Sequence, residues 1–150
     1  MADLNCDVII NWDKEKFSSD ELDVVEKQGM LFSSCQNEFD VDAFDFIKKF
    51  MQTQLAEDIS VFSATSIKQI GEHLLNMVDV MPLTEKKYTE ALYWIGYLYR
   101  YWNYMGTPSK EIVKIAPVEK AYVLYSGYHC LDVQEAIALL IERSGKTRLG

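Results

Sequence analysis

The stretch from Ala91 to Met105, ALYWIGYLYRYWNYM, constrains the fold more than any other part of the chain. It is almost continuous apolar and aromatic surface, interrupted by Arg100 and Asn103. It is too short to cross a bilayer, which takes about 20 apolar residues. A segment of this kind has to be buried in protein. On a helix, Tyr88, Ala91, Leu92, Ile95, Leu98, Tyr99 and Trp102 fall on one broad stripe. The spacing predicts a helix over about 85–105, begun at Thr84 and stopped by Gly106 in the left-handed conformation. A second side of that helix carries Tyr93, Tyr97, Arg100 and Tyr104 at spacings of four, three and four. Tyrosine buries apolar area and keeps a polar tip, and Tyr, Trp and Arg dominate interface hot spots. These four residues are the candidate partner-binding row; packing all round a central helix is the plainer use of the same residues.

The flanking segments read as further helices. Asp40 or Asp42 caps one that presents Phe44, Ile47, Met51 and Leu55. Another starts near Ser63 or Thr65, with Ile67, Ile70, Leu74 and Met77 on one face and Gly71 inside it. Pro82 opposes its continuation. After Gly106, Thr107 and Pro108 restart the chain as N-cap and first helical residue, giving a helix to about Ile115. Pro117 opens the next, which Gly127 ends. Asp132 caps the last, with Glu135 three residues on and Val133, Ala136, Ile137, Leu140 and Ile141 inward. Residues 1–40 are harder to read. Val8-Ile9-Ile10 fits a short extended element or part of a helix. Ser19 or Asp20 fits a helix start, Gly29 its end, and Phe32 to Asn37 a turn-rich link. The expected fold is mainly α, an irregular bundle of six or seven helices, with a short extended element near the N-terminus as an option.

The 150 residues fit one domain, with an ill-defined acidic segment at 1–40, a helical core at 41–145 and a basic tail at 146–150. The balance of 49% hydrophobic and 25% charged residues is that of a folded chain. Net charge is −8 and lies unevenly: residues 1–60 hold 14 acids against 5 bases, and residues 61–150 hold 9 against 10. An acidic chain repels phosphate backbones and attracts basic protein surfaces. Asp40, Asp42 and Asp45 are the candidate steering acids, with helix capping as their plainer use. Met1-Ala2-Asp3-Leu4-Asn5 predicts no secretory signal, and the expected location is cytoplasmic.

No catalytic, metal or cofactor motif is visible. Cys6, Cys35 and Cys130 are far apart, odd in number and without a C-x-x-C pair, which predicts reduced thiols. His73 and His129 do not form a zinc-ligand set. The adjacent His129 and Cys130 are poorly placed to aim at one reacting atom. Two other readings stay open: a small enzyme using a Tyr97, Arg100 and His129 pocket, and a DNA-binding regulator using residues 107–126. The second lacks the Arg, Gln and Asn row expected to meet base edges.

The segment from Leu92 to Glu142 resembles small bacterial proteins encoded beside toxin genes, in the manner of antitoxins. The resemblance is carried by Tyr93 to Trp102, by Ser109-Lys110-Glu111-Ile112, by Tyr128-His129-Cys130-Leu131-Asp132 and by Ala136-Ile137. It implies a non-catalytic inhibitor that binds a protein partner with a basic surface, such as a toxin. It covers about a third of the chain and assigns no role to any single residue.

Overall fold

The computed structural model describes residues 17–145. Among these there are nine helices and no strand, so the fold is all-α. The expected extended element at Val8 to Ile10 and the basic tail at 146–150 lie outside the described residues. No helix in the described part is long and apolar enough to cross a membrane.

Helix α1 spans Ser19–Phe39 and is the main departure from expectation. Ser18, not Ser19 or Asp20, is its N-cap. Ser18 Oγ accepts from Glu21 N–H, and the Glu21 carboxylate accepts from Ser18 N–H. The helix does not stop at Gly29 but continues to Phe39. Ser33 and Ser34, turn formers by local preference, instead donate their hydroxyls to the carbonyls of Met30 and Leu31. Burial of Leu31, Phe32 and Cys35 holds this second half in place. Tertiary packing here overrides weak local propensity. The helix ends at Asp40, which adopts the left-handed conformation (φ 59°) and donates its N–H to Gln36 O.

The expected helix after Asp42 is divided. Helix α2 (Ala43–Phe50) is capped by Asp42 and buries Ala43, Phe46, Ile47 and Phe50. Helix α2 ends at Met51, and Thr53 starts the next helix. The Thr53 hydroxyl donates to Phe50 O and accepts from Ala56 N–H, in α3 (Gln54–Glu57). Asp58 caps α4 (Ile59–Ala64) through Val61 N–H. Helix α5 (Ile67–Met77) carries a capping box of Ser66 and Gln69. Ile70 and Leu74 are buried on its inner face, whereas Met77, expected beside them, is exposed. Gly71 leaves room for a neighbour: a Cβ there would come within 2.0 Å of the Phe39 ring. The short helices α3 and α4 raise the count above the six or seven expected.

Helix α6 (Thr89–Tyr104) is the centre of the molecule. Leu92, Ile95, Leu98, Tyr99 and Trp102 are buried, as the stripe requires. Tyr88 is not part of it; it stands at the N-cap of the helix and is 56% exposed. Helix α1 runs antiparallel to α6, with the Gln36 amide donating to Lys87 O and the Gln28 amide to Gly96 O. The two helices approach closely at a pair of glycines. A Cβ on Gly96 would sit 2.4 Å from Gln28 O and 2.7 Å from Gly29 Cα. The Phe32 ring lies edge-on to Phe50 at 5.8 Å and to Tyr99 at 6.4 Å.

The C-terminal part follows the sequence signals more closely. Gly106 takes the left-handed stop (φ 117°). Pro108 and Pro117 stand at the N-caps of α7 (Ser109–Ile115) and α8 (Val118–Tyr128), so Pro108 takes the place expected of Thr107. Gly127 falls inside α8 and does not end it. Asp132 caps α9 (Val133–Arg143) by accepting from Gln134 N–H. Ala136, Ile137 and Leu140 are its buried residues.

Candidate protein-binding surface

The row of Tyr93, Tyr97, Arg100 and Tyr104 is split by the fold. Arg100 is fully buried. Its Nη1 donates to Ala56 O at 2.8 Å and to Asn103 Oδ1 at 3.1 Å, and the guanidinium lies 4.7 Å from the centre of the Phe62 ring. Asn103 extends the network to Thr107 O, and Glu57 accepts from Ser109 N–H at the start of α7. Burial pulls the Arg100 pKa down to about 10, so the group stays charged at neutral pH. Arg100 therefore ties α6 to α3 and α4 and is withdrawn from the partner-binding row. Helical spacing fixes a residue's side of the helix and not what packs over that side, so it does not reveal this burial.

The three tyrosines remain half-exposed. Tyr93 and Tyr97 lie with ring centres 6.4 Å apart, and Tyr93 packs against Gly29 of α1. Burial, then the nearby Glu26 carboxylate, raises the Tyr93 pKa. Tyr104 packs against Phe17 and borders a cleft of about 650 Å³ lined also by Asp20, Glu21, Asp23 and Lys27. The Lys27 ammonium donates to the carbonyls of Phe62 and Ser63.

A second aromatic group lies where α6 meets α8. Trp94 of α6 and Tyr125 of α8 meet edge-to-face at 5.7 Å, and Tyr88 meets Tyr125 in the same manner at 6.0 Å. His129 stacks on Tyr125 at 4.5 Å. The Tyr88 N–H donates to the Tyr122 hydroxyl, which fixes the start of α6 on α8. A hydrogen bond between Tyr88 and Glu90, and the charge of that carboxylate, raise the Tyr88 pKa. Burial, then Glu90, raises that of Tyr125. Spacing along one helix does not predict this group, since only the pairing of α6 with α8 assembles it.

The acids Asp40, Asp42 and Asp45 do not join the tyrosines. Asp42 caps α2, and its N–H donates to Met81 O. Asp45 accepts from Met81 N–H at 2.8 Å and pairs with Lys49 at 3.1 Å. Leu83 N–H donates to Asp40 O. Together they latch residues 81–83 to the corner between α1 and α2. Burial alone would raise the Asp45 pKa, but the Met81 N–H and Lys49 outweigh it and hold the carboxyl below its usual range. Asp40 lies about 16 Å of helix rise beyond Gly29, where Tyr93 packs. The acids beside the aromatic residues are instead Glu26 and Glu90, both exposed.

Tyr97, Arg100 and His129 do not assemble as one pocket. Arg100 contacts Ala56, Asn103 and Phe62, whereas His129 contacts Tyr125 and Cys130. Cys6 lies outside the described residues. Cys35 is free and buried, and burial followed by Asp42 pushes its thiol up to about 12. In residues 107–126, Val118 and Ala121 are buried, Glu119 pairs with Lys48, and Tyr122 packs on Phe44. Among the described residues no group of three or more His, Cys, Asp or Glu side chains is placed to hold a metal ion. Comparison with family models, with curated proteins and with solved structures finds no match.

Proposed function

We propose that this chain is a binding protein, an antitoxin or inhibitor that neutralises a basic protein partner through the aromatic surface of α6. The reading rests on the pairing of half-exposed Tyr93, Tyr97, Trp94 and Tyr125 with the exposed carboxylates of Glu26 and Glu90. Packed aromatic residues lose little conformational entropy on binding and supply large contact areas, the usual composition of a hot spot. Carboxylates at the edge speed the approach of a basic face and act on the encounter rate more than on retention. The resemblance of residues 92–142 to antitoxin-like proteins supports the same reading.

Site-specific photocrosslinking in the native cell tests it. A benzophenone amino acid at position 93 or 97 should trap one basic protein, and the same probe at Asn76 of α5 should not. Equal trapping at all three positions, or none at 93 and 97, would overturn the proposal. A trapped partner that is a toxin should lose its toxicity when the wild-type chain is co-expressed.

A further inference from the structure

Tyr125 is held between two other aromatic rings and beside a carboxylate. Trp94 and Tyr88 stand at 67° and 69° to its plane, with ring centres 5.7 and 6.0 Å away. Rings set at such angles to one another can turn their negative π-faces towards one small volume. Glu90 and Trp94 are four residues apart on α6 and therefore lie side by side on its surface. The Glu90 carboxylate lies near enough to both Tyr88 and Tyr125 to raise their pKa values. The surrounding structure limits how far the group can shift. His129 stacks on Tyr125, its Nδ1 lies 2.9 Å from Tyr125 O, and Tyr88 N–H is bonded to the Tyr122 hydroxyl.

We infer that Tyr88, Trp94, Tyr125 and Glu90 form a recognition site for the ammonium head of a lysine side chain on the protein partner. Ring faces carry negative potential and attract a cation within about 6 Å, most strongly over tryptophan. Glu90 supplies the formal countercharge, and the exposed Tyr88 leaves the site open to an incoming side chain. The chain already uses this chemistry one residue away. Lys87 lies with its ammonium 4.9 Å from the centre of the Phe44 ring. Among the described residues no lysine or arginine lies over Tyr88, Trp94 or Tyr125. Ring faces together with a carboxylate select a basic side chain, in agreement with the acidic balance of the protein. Attributing that lysine to a partner rests on the binding function proposed above; the affinity of the site for an ammonium group does not.

The test uses Nα-acetyl-lysine methylamide and its uncharged counterpart Nα-acetyl-norleucine methylamide, added to the full chain at constant ionic strength. The lysine compound should produce saturable NMR shifts at the Trp94 indole N–H and at the Glu90 and Tyr125 amides. The norleucine compound should bind about two- to fivefold more weakly, the ratio given by a cation–π contact at an exposed site. Glu90→Gln and Tyr125→Leu should each weaken the lysine compound, whereas Tyr125→Phe should retain it. Far-UV circular dichroism confirms that each variant is folded. Equal binding of both compounds would make the group an apolar contact and overturn the inference. Absence of saturable shifts at these residues, or full retention in Glu90→Gln and Tyr125→Leu together, would overturn it as well. Lysine binding without crosslinks at 93 or 97 would leave this site standing and remove the partner surface. Crosslinks without lysine binding would do the reverse.

Discussion

Replacing Gly96 with alanine should damage the fold although alanine is the better helix former. The substitution would place a Cβ 2.4 Å from Gln28 O, 2.7 Å from Gly29 Cα and 2.8 Å from Gln28 C. These are backbone atoms of α1, so no side chain can rotate away. Ordinary contact begins near 3.4 Å, and α1 and α6 would have to separate by about 1 Å at their crossing. That movement strains the 3.1 Å bond from the Gln28 side-chain amide to Gly96 O. Gln28 Oε1 is already buried without a hydrogen-bond partner, so the whole amide would be left unsatisfied. Overpacking costs about 1–3 kcal/mol, and an unsatisfied buried group about 1–3 kcal/mol more. The gain in helix propensity offsets about 1 kcal/mol. The expected net loss is about 1–5 kcal/mol by urea unfolding followed by circular dichroism. Gly127→Ala is the control, because nothing lies within 4 Å of a Cβ there. It should be neutral or stabilise by up to about 1 kcal/mol. If Gly96→Ala is as stable as the wild type while Gly127→Ala behaves as expected, the close crossing of α1 and α6 is wrong.

Trp102→Ala should cost about 3–5 kcal/mol in urea unfolding, because the ring is buried in the core stripe; a loss below about 1 kcal/mol would contradict the central position of α6. Asp45→Asn should destabilise the chain at neutral pH by about 1 kcal/mol or more, since it weakens the latch to Met81 and Lys49. The folded-state pKa of Asp45 is depressed, so its contribution is present above the ordinary carboxylate range and is lost as pH falls through the folded pKa. The difference between wild type and Asp45→Asn in thermal melts should therefore shrink in acid; a constant difference from neutral to strongly acidic pH would refute the assignment.

Much of the fold is legible in the sequence because its signals are local. The stripe from Leu92 to Trp102, the stop at Gly106 and the prolines at 108 and 117 each act within a few residues, and each lies at or beside its expected place. Helix α1 is not legible in this way, because Gly29 is a helix breaker by propensity and a contact point by packing. The second role depends on Gly96, distant in the chain. The same limit applies to the surface. The tyrosine row is visible as a repeat, but the burial of Arg100 comes from Ala56 and Phe62, and the Trp94–Tyr125 group from the pairing of two helices. The capping role of Asp42 can be read from its place before an apolar repeat, whereas the latch from Asp45 to Met81 requires the return of residues 81–83 to that corner.

Stopped-flow association with the protein trapped at position 93 or 97 tests most directly whether carboxylates steer a basic partner and aromatic residues retain it. The double variant Glu26→Gln, Glu90→Gln should lower kon and flatten its dependence on salt, which screens charges over about 8 Å at physiological ionic strength. Tyr97→Ala should leave kon nearly unchanged and raise koff at least about tenfold, a loss of about 1.4 kcal/mol or more. A kon indifferent to both the acids and salt, together with an unchanged koff in a folded Tyr97→Ala, would contradict the account.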